Sequence, residues 1–438
     1  MSKPDDFDNE DPQVPPPLDL SKWRTLPMKL MAIGGLIAIA GAIGSFIKDG
    51  GVQFGYAWLV AFMFCLSIGL GALFLVIVHH LFDAGWSVAT RRFCEHIASL
   101  LFPICFVLWI PIGLLAPQLY QWMGKELQAH PDHALSAKWP LFSTTGFYLI
   151  SIGCFLTWWL LSNRLKFWSL EQDKDGSARC TYKLRMWASI GVFLFGFSLT
   201  FAAIMWMKAL HHQWFSTMYG VCYFAGSVWM TLALVYVITM ILDRQRILDE
   251  VLHEHQFYFI GSLMFAFTVF YAYVTFSQYF IIWNANMPEE TFYYLIRERG
   301  IWFWVSMVII FGHFFLPFLA LLRIDVKHTF KFMVPLAIWA WLMHFADMAF
   351  QIWPYQYETG FFPVQWGIVA LGCTAFMLGL MTTVFLKKFA TAPPFPIKDP
   401  RLSEAMGIYH PVATPISGGD VAEADHSHGS LRHAKGGH

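Results

Sequence analysis

The sequence predicts an all-α polytopic membrane protein: ten transmembrane helices, with two four-helix bundles (spans 2–5 and 6–9) and flanking spans 1 and 10. Three observations predict it. Hydrophobic residues make up 57% of the chain and charged residues 13%, which excludes ordinary soluble and disordered classes. Ten runs are apolar and long enough for a bilayer, which needs about 20 residues. A weak internal repeat relates spans 2–5 to spans 6–9. Their lengths and connections are similar, and Trp122/Trp283 and Trp139/Trp302 are offset by 161 and 163 residues. Duplicated bundles with a polar interior are a common way to build a membrane pathway.

The expected spans are 30–47, 55–78, 97–119, 141–163, 186–207, 217–242, 257–282, 301–322, 333–353 and 364–386. Backbone groups in lipid must be satisfied internally, so these are helices. The alternating pattern of a membrane barrel is missing. Residues 1–27 read as a disordered N-terminal segment, 28–388 as the transmembrane domain, and 389–438 as a largely disordered tail ending in a His-rich stretch. With ten spans both ends share one side. That side carries 23 Lys and Arg against 6 on the other, or 17 against 6 without the tail. The positive-inside rule then puts both termini in the cytoplasm. No cleaved signal is expected, since residues 1–20 are acidic and proline-rich. The seven cysteines form no CxxC pair, so neither a disulfide framework nor an iron–sulfur or haem attachment motif is expected.

Span 1 places Gly34, Ala38 and Ala42 at four-residue intervals, a packing face. Span 9 carries the most informative residue. Asp347 is a carboxylate deep in an apolar run, where insertion costs at least about 2.5–3.5 kcal/mol. His344 and Gln351 share its helical face. Counted from the cytoplasmic end, His344 lies roughly 18 Å in and Asp347 roughly 22 Å in. Span 7 presents Thr268, Tyr271, Thr275 and Gln278 at intervals of 3, 4 and 3, a polar stripe suited to a water chain or to facing a polar headgroup. Span 8 offers His313, with Ser306 on the same face, and span 2 ends in His79 and His80, followed by Asp83. Histidine exchanges protons near neutral pH. Together His79, His80, Asp83, His313, His344, Asp347 and Gln351 sketch a proton path, provided that spans 2, 7, 8 and 9 face one another. Facing imidazoles would also suit b-type haem. No catalytic residue and no metal site are assigned. The loop 285–300, with Glu289, Glu290, Arg297, Glu298 and Arg299, reads as a solvated or docking surface.

The segments 66–96 (with AGWSV and the following RR), 212–227, 265–291 (with SQY and NANMPEET) and 313–323 resemble the ten-span quinone-type subunits of bacterial alternative complex III, in particular the F-type, quinone-binding subunit 2 group. These are similar to the membrane subunit of polysulfide reductase, the NrfD-like group. The resemblance covers nearly all of residues 25–390. It implies a subunit of a quinol:cytochrome c oxidoreductase in the bacterial inner membrane, with two four-helix bundles and no redox centre of its own. It implies quinone (menaquinone or ubiquinone) as the ligand. The implied partners are an iron–sulfur subunit, multihaem and monohaem cytochrome c subunits, a paralogous ten-span C subunit, a terminal oxidase and lipids, with no nucleic acid. Two positions depart from the family pattern. Met205 precedes Trp206 where an Asp is usual, and Asn284 stands where Tyr is frequent. The first removes a carboxylate from span 5 and gives Asp347 more of the burden. An alternative reading, from the residues themselves, is a stand-alone ion-coupled secondary transporter.

Overall fold

The computed structural model describes residues 20–249 and 251–406. Among them there is no strand, and ten helices are long and apolar enough to cross a membrane. The spans are Ser21–Asp49, Val52–Leu81, Gly85–Leu119, Thr144–Asp175, Ala178–Trp206, Tyr219–Arg244, His255–Ala285, Ile301–Leu322, Phe330–Tyr355 and Val364–Phe389. The chain is a multi-pass helical membrane protein. Leu36, Ile47, Phe193, Phe197, Phe276 and Ile281 are exposed on its flanks, as lipid-facing residues must be.

Each expected span is present, and the ends differ where charge begins. Span 3 starts twelve residues earlier than its apolar run, and span 4 continues twelve residues further. The added turns hold Arg91, Arg92, Glu95 and Asp173, which pair with one another. A hydropathy run stops at the first charge, whereas a helix continues while its charged side chains find partners.

Spans 2–5 close one ring of neighbours and spans 6–9 another. Spans 2 and 6 pack against each other at the centre, and their most apolar windows are 89% and 78% buried against 22% for span 1. The tryptophan pairs do not share environments. Trp122 and Trp302 are buried, while Trp283 and Trp139 are 63% and 73% exposed. The repeat therefore lives in the helix rings and not in those side chains.

Spans 1 and 10 lie along each other on the outside. A Cβ on Gly34 would sit 2.4 Å from the Phe376 amide nitrogen and 2.5 Å from the Gly372 carbonyl, so the small-residue face is a close backbone contact. The chain ends behave differently from the expected loose segments. Ser21–Trp23 is a short helix leading into span 1, and residues 390–406 pack back on the end of the bundle, with Phe395, Asp399 and Leu402 buried. Their anchors are apolar contacts and ion pairs between residues far apart in sequence. The His-rich stretch lies outside the described residues.

Candidate functional site

The polar interior has two parts. The first is a cluster in the second bundle. One ligand atom each from His313, His344 and Asp347 lies within 4.8 Å of the others, and all three residues are buried. Spans 8 and 9 run antiparallel, and a π turn at Ile310–Phe315 carries His313 inward. The π turn rotates the face that a regular helix would show. Ser306 is therefore not His313's partner; it donates to the Phe303 carbonyl instead.

Each member of the cluster is held by neighbours. The His313 ring stacks between Trp229, at 4.1 Å, and Tyr271, at 4.0 Å. Trp229 is oriented by its Nε1–H, which donates to Thr268 Oγ1 at 2.8 Å. His344 Nε2 lies 3.0 Å from Ser67 Oγ. The Ser67 hydroxyl already donates to the Phe64 carbonyl at 2.7 Å, so His344 Nε2 carries the proton and Nδ1 presents a lone pair. That side of the ring abuts Gly226, where a Cβ would meet Cε1 at 3.1 Å and Nδ1 at 3.2 Å. Gln351 Nε2 donates to Asp347 Oδ1 at 3.3 Å, and the Tyr271 hydroxyl lies beside the carboxylate. Both nitrogens of His313 and Nδ1 of His344 have no hydrogen-bond partner. An unsatisfied buried polar atom costs about 1–3 kcal/mol, so the cluster is built for an occupant.

From Asp347 a cavity of about 60 Å³ leads toward the face opposite the chain ends. Cys222, Thr275, Gln278, Tyr293, Arg297 and Gln351 are among the residues that line it. The Tyr293 hydroxyl donates to Gln351 Oε1 at 2.8 Å, and Arg297 Nη2 donates to the Gln351 carbonyl at 3.0 Å. Gln278 Nε2 donates to the Tyr294 hydroxyl at 3.0 Å and accepts from Ser216 at 2.9 Å. Burial pushes the Tyr293 phenol above its ordinary range, against the lowering influence of Arg297, so it remains a donor. The stripe of Thr268, Tyr271, Thr275 and Gln278 thus faces the cluster and its outlet, and each member has a side-chain neighbour there. Arg297, expected on a solvated loop, is 2% exposed and stacks 3.5 Å over the Tyr293 ring. The amphipathic helix Pro288–Arg297 turns it inward.

His79, His80 and Asp83 belong to the second part. It is an unbroken chain of alternating charge running Asp173–Arg92–Glu95–Arg91–Asp399–Arg401–Asp83–Arg185. His79 Nε2 lies 2.9 Å from Arg91 and its Nδ1 2.6 Å from Ser87, while His80 Nδ1 lies 3.5 Å from Arg401. Burial alone would raise the Asp399 carboxyl, but Arg91 and Arg401 together hold it well below the ordinary carboxylate range. Four guanidinium groups against four carboxylates leave the chain neutral. Ser67, the cluster's contact on span 2, is twelve residues from His79, about 18 Å along the helix. Leu70, Leu73, Val76 and Ile77 are buried between them. The two parts are therefore separate polar systems, with Ser67 at one end of this apolar stretch and His79 at the other.

Sequence reasoning missed Trp229, Ser67, Tyr293, Arg297 and Cys222 in the first system, and Arg91, Glu95 and Asp399 in the second. Ser67 and Trp229 sit in apolar runs without periodicity to mark them. Asp399 lies beyond the last span, where only the tertiary structure brings it to Arg91. The fold and site define a polytopic helical membrane protein with a buried imidazole–carboxylate cluster. Comparison with protein-family models, and with curated proteins, found no match to the chain.

Proposed function

We propose that the chain is an integral membrane subunit of a quinol:cytochrome c oxidoreductase of the alternative complex III type, seated in the bacterial inner membrane with both termini cytoplasmic. It supports quinol-linked electron transfer beside iron–sulfur, cytochrome c and paralogous ten-span subunits, has no redox centre of its own, and moves protons through the second bundle. The observation that carries the proton-moving part is the convergence of His313, His344 and Asp347 on one buried point with a polar outlet. A carboxylate retained in a span is most often a proton or ion group. Asp347 exchanges the proton, Gln351 orients the carboxylate, and Tyr293 and the Thr275–Gln278 side of span 7 line the route outward, where water in the cavity carries the proton. Met205 is buried beside Trp206, so span 5 supplies no second carboxylate there.

The subunit reading rests on the resemblance of four segments, and those segments supply Ser67, Arg91, Gly226, Thr268, Tyr271, Gln278 and His313 to the two polar systems. The test is purification in mild detergent with inspection for c-type haem absorbance. Co-purifying haem is expected, and a lone, colourless protein with transport activity overturns the reading. Asp347→Asn is expected to lower proton uptake, and unchanged coupling removes Asp347 from the path. The transporter alternative draws on one observation. Span 3 is interrupted at Phe102, which is extended (φ −140°, ψ 131°) ahead of Pro103. Span 7, its counterpart in the repeat, is one continuous helix over Glu254–Ala285. A matched pair of broken helices, the mark of many transporters, is thus not formed by these two spans.

A further inference from the structure

We propose that His313, His344 and Asp347 form a binding site for a borderline-soft divalent first-row cation of the zinc class. Two imidazoles and one carboxylate are a donor set that such ions favour. In a tetrahedral zinc site, with bonds of about 2.0–2.2 Å, ligand atoms stand about 3.4 Å apart. The three atoms here lie within 4.8 Å of one another, so each side chain has to shift by less than about 1 Å.

Two further observations point to a ligand. Both His313 nitrogens, one of which carries a lone pair in the neutral ring, and His344 Nδ1 lack a hydrogen-bond partner, in residues that are 0% exposed. The tautomer is also set. Ser67 takes the Nε2 proton of His344, which leaves Nδ1 free to bind. The supporting contacts are those a metal site requires, in which outer partners fix the ligands. Trp229 and Tyr271 stack on His313 and leave its in-plane nitrogens without partners, and Gln351 and the Tyr271 hydroxyl hold the Asp347 carboxylate. Asp347 also lines the cavity of about 60 Å³, which has room for a water molecule as a further ligand. Arg297 acts on Asp347 electrostatically, but its hydrogen bonds go to the Tyr293 and Gln351 carbonyls, one helical turn beyond the carboxylate. The site is independent of the subunit reading. It bears on proton movement because a bound cation occupies the same three groups.

Cobalt(II) serves as the probe, because its visible d–d absorption reports coordination. The full chain and its His313→Gln/His344→Gln variant are titrated with CoCl₂. The His-rich tail contributes equally to both, so the difference counts the buried site. The full chain is expected to bind about one more equivalent, with a d–d spectrum that zinc displaces and the variant lacks. Equal stoichiometry and equal spectra overturn the proposal. A second measurement needs no variant: after zinc loading and a brief EDTA wash, which removes readily exchanged ions, about one zinc per chain is expected to remain. Zinc content near zero overturns the proposal. Proton uptake is a separate readout, so loss of the metal site and loss of the proton path are distinguishable.

Discussion

Asp399→Ala should loosen the end of the bundle more than any other single change in the charge chain. Asp399 joins Arg91 on span 3 to Arg401 on the returning segment, and the paired side-chain atoms are almost fully buried. Removing one partner of a buried pair costs about 3–5 kcal/mol, because the other charge is left without compensation. Arg91 keeps Glu95 at 3.1 Å and Arg401 keeps Asp83 at 3.2 Å, so the lower end, about 3 kcal/mol, applies. With an unfolding entropy of about 2.1 cal/mol/K per residue over roughly 390 residues, that is a fall in Tm of about 4 °C. The assay is thermal unfolding in detergent followed by thiol labelling of the buried cysteines, with tryptic cleavage after Arg401 as the local readout. Cleavage should accelerate, since Arg401 is 9% exposed in the intact protein. The pH dependence has a definite sign. Asp399 has a depressed folded pKa, so its contribution is present above the unfolded value of about 3.9 and is lost as pH falls below it. An unchanged Tm together with an unchanged cleavage rate would refute the reasoning.

Three further outcomes follow from the same geometry. Lys208 is buried against Phe142 and Phe215 beside Lys138; burial first, and the Lys138 charge second, lower it to about 7. An unfolded lysine stays protonated to about 10.4, so Tm should rise between pH 7 and 10, and Lys208→Met should flatten that rise. A rise of the same slope in the variant would exclude Lys208 as its source. Gly34→Leu should cost about 1–3 kcal/mol by overpacking spans 1 and 10, whereas Gly44→Leu, which meets nothing within 4 Å, should be neutral in Tm. Gln351→Leu should slow proton uptake in reconstituted vesicles while lowering stability by no more than about 1–3 kcal/mol of lost hydrogen bonding, since it removes the link between Asp347 and Tyr293.

The fold was legible because bilayer thickness imposes itself on composition: a run of apolar residues of spanning length leaves little choice of structure. The span ends were legible only up to the first charge, and Arg91, Arg92 and Glu95 show why. Their helix continues on the strength of ion pairs with residues far along the chain. The core of the site was legible through cost, since Asp347 in an apolar run demands a reason, and helical spacing put it on one face with His344 and Gln351, whereas the approach of the span 7 stripe comes only from the tertiary structure. His313 joined them through a π turn that no periodicity discloses. His79, His80 and Asp83 looked equivalent to the deep histidines because sequence reports the residue type and not the neighbour. Arg91 and Arg401, which decide their environment, come from a later turn and from the returning segment.

The separation of the two polar systems bears on how a proton would reach Asp347. From the outer face, Gln351, Tyr293 and the Gln278–Tyr294 pair extend a polar lining to the carboxylate. From the other face, about 18 Å of buried leucine, valine and isoleucine on span 2 lies between His79 and Ser67, and His79 itself is held against Arg91. His79 is held between Arg91 and Ser87 and His80 lies beside Arg401, so both are tied into the charge chain. On this side Trp229, which stacks on His313, donates to Thr268, and Thr268 donates to the Met264 carbonyl on span 7. Further along that helix Ser262 accepts from the buried Lys327 at 3.3 Å. We propose that a proton route from the side of the chain ends follows span 7 rather than span 2. Lys327→Met tests this: slowed uptake from the inner side with His79→Ala silent supports the route along span 7, and the reverse pattern restores the histidine pair.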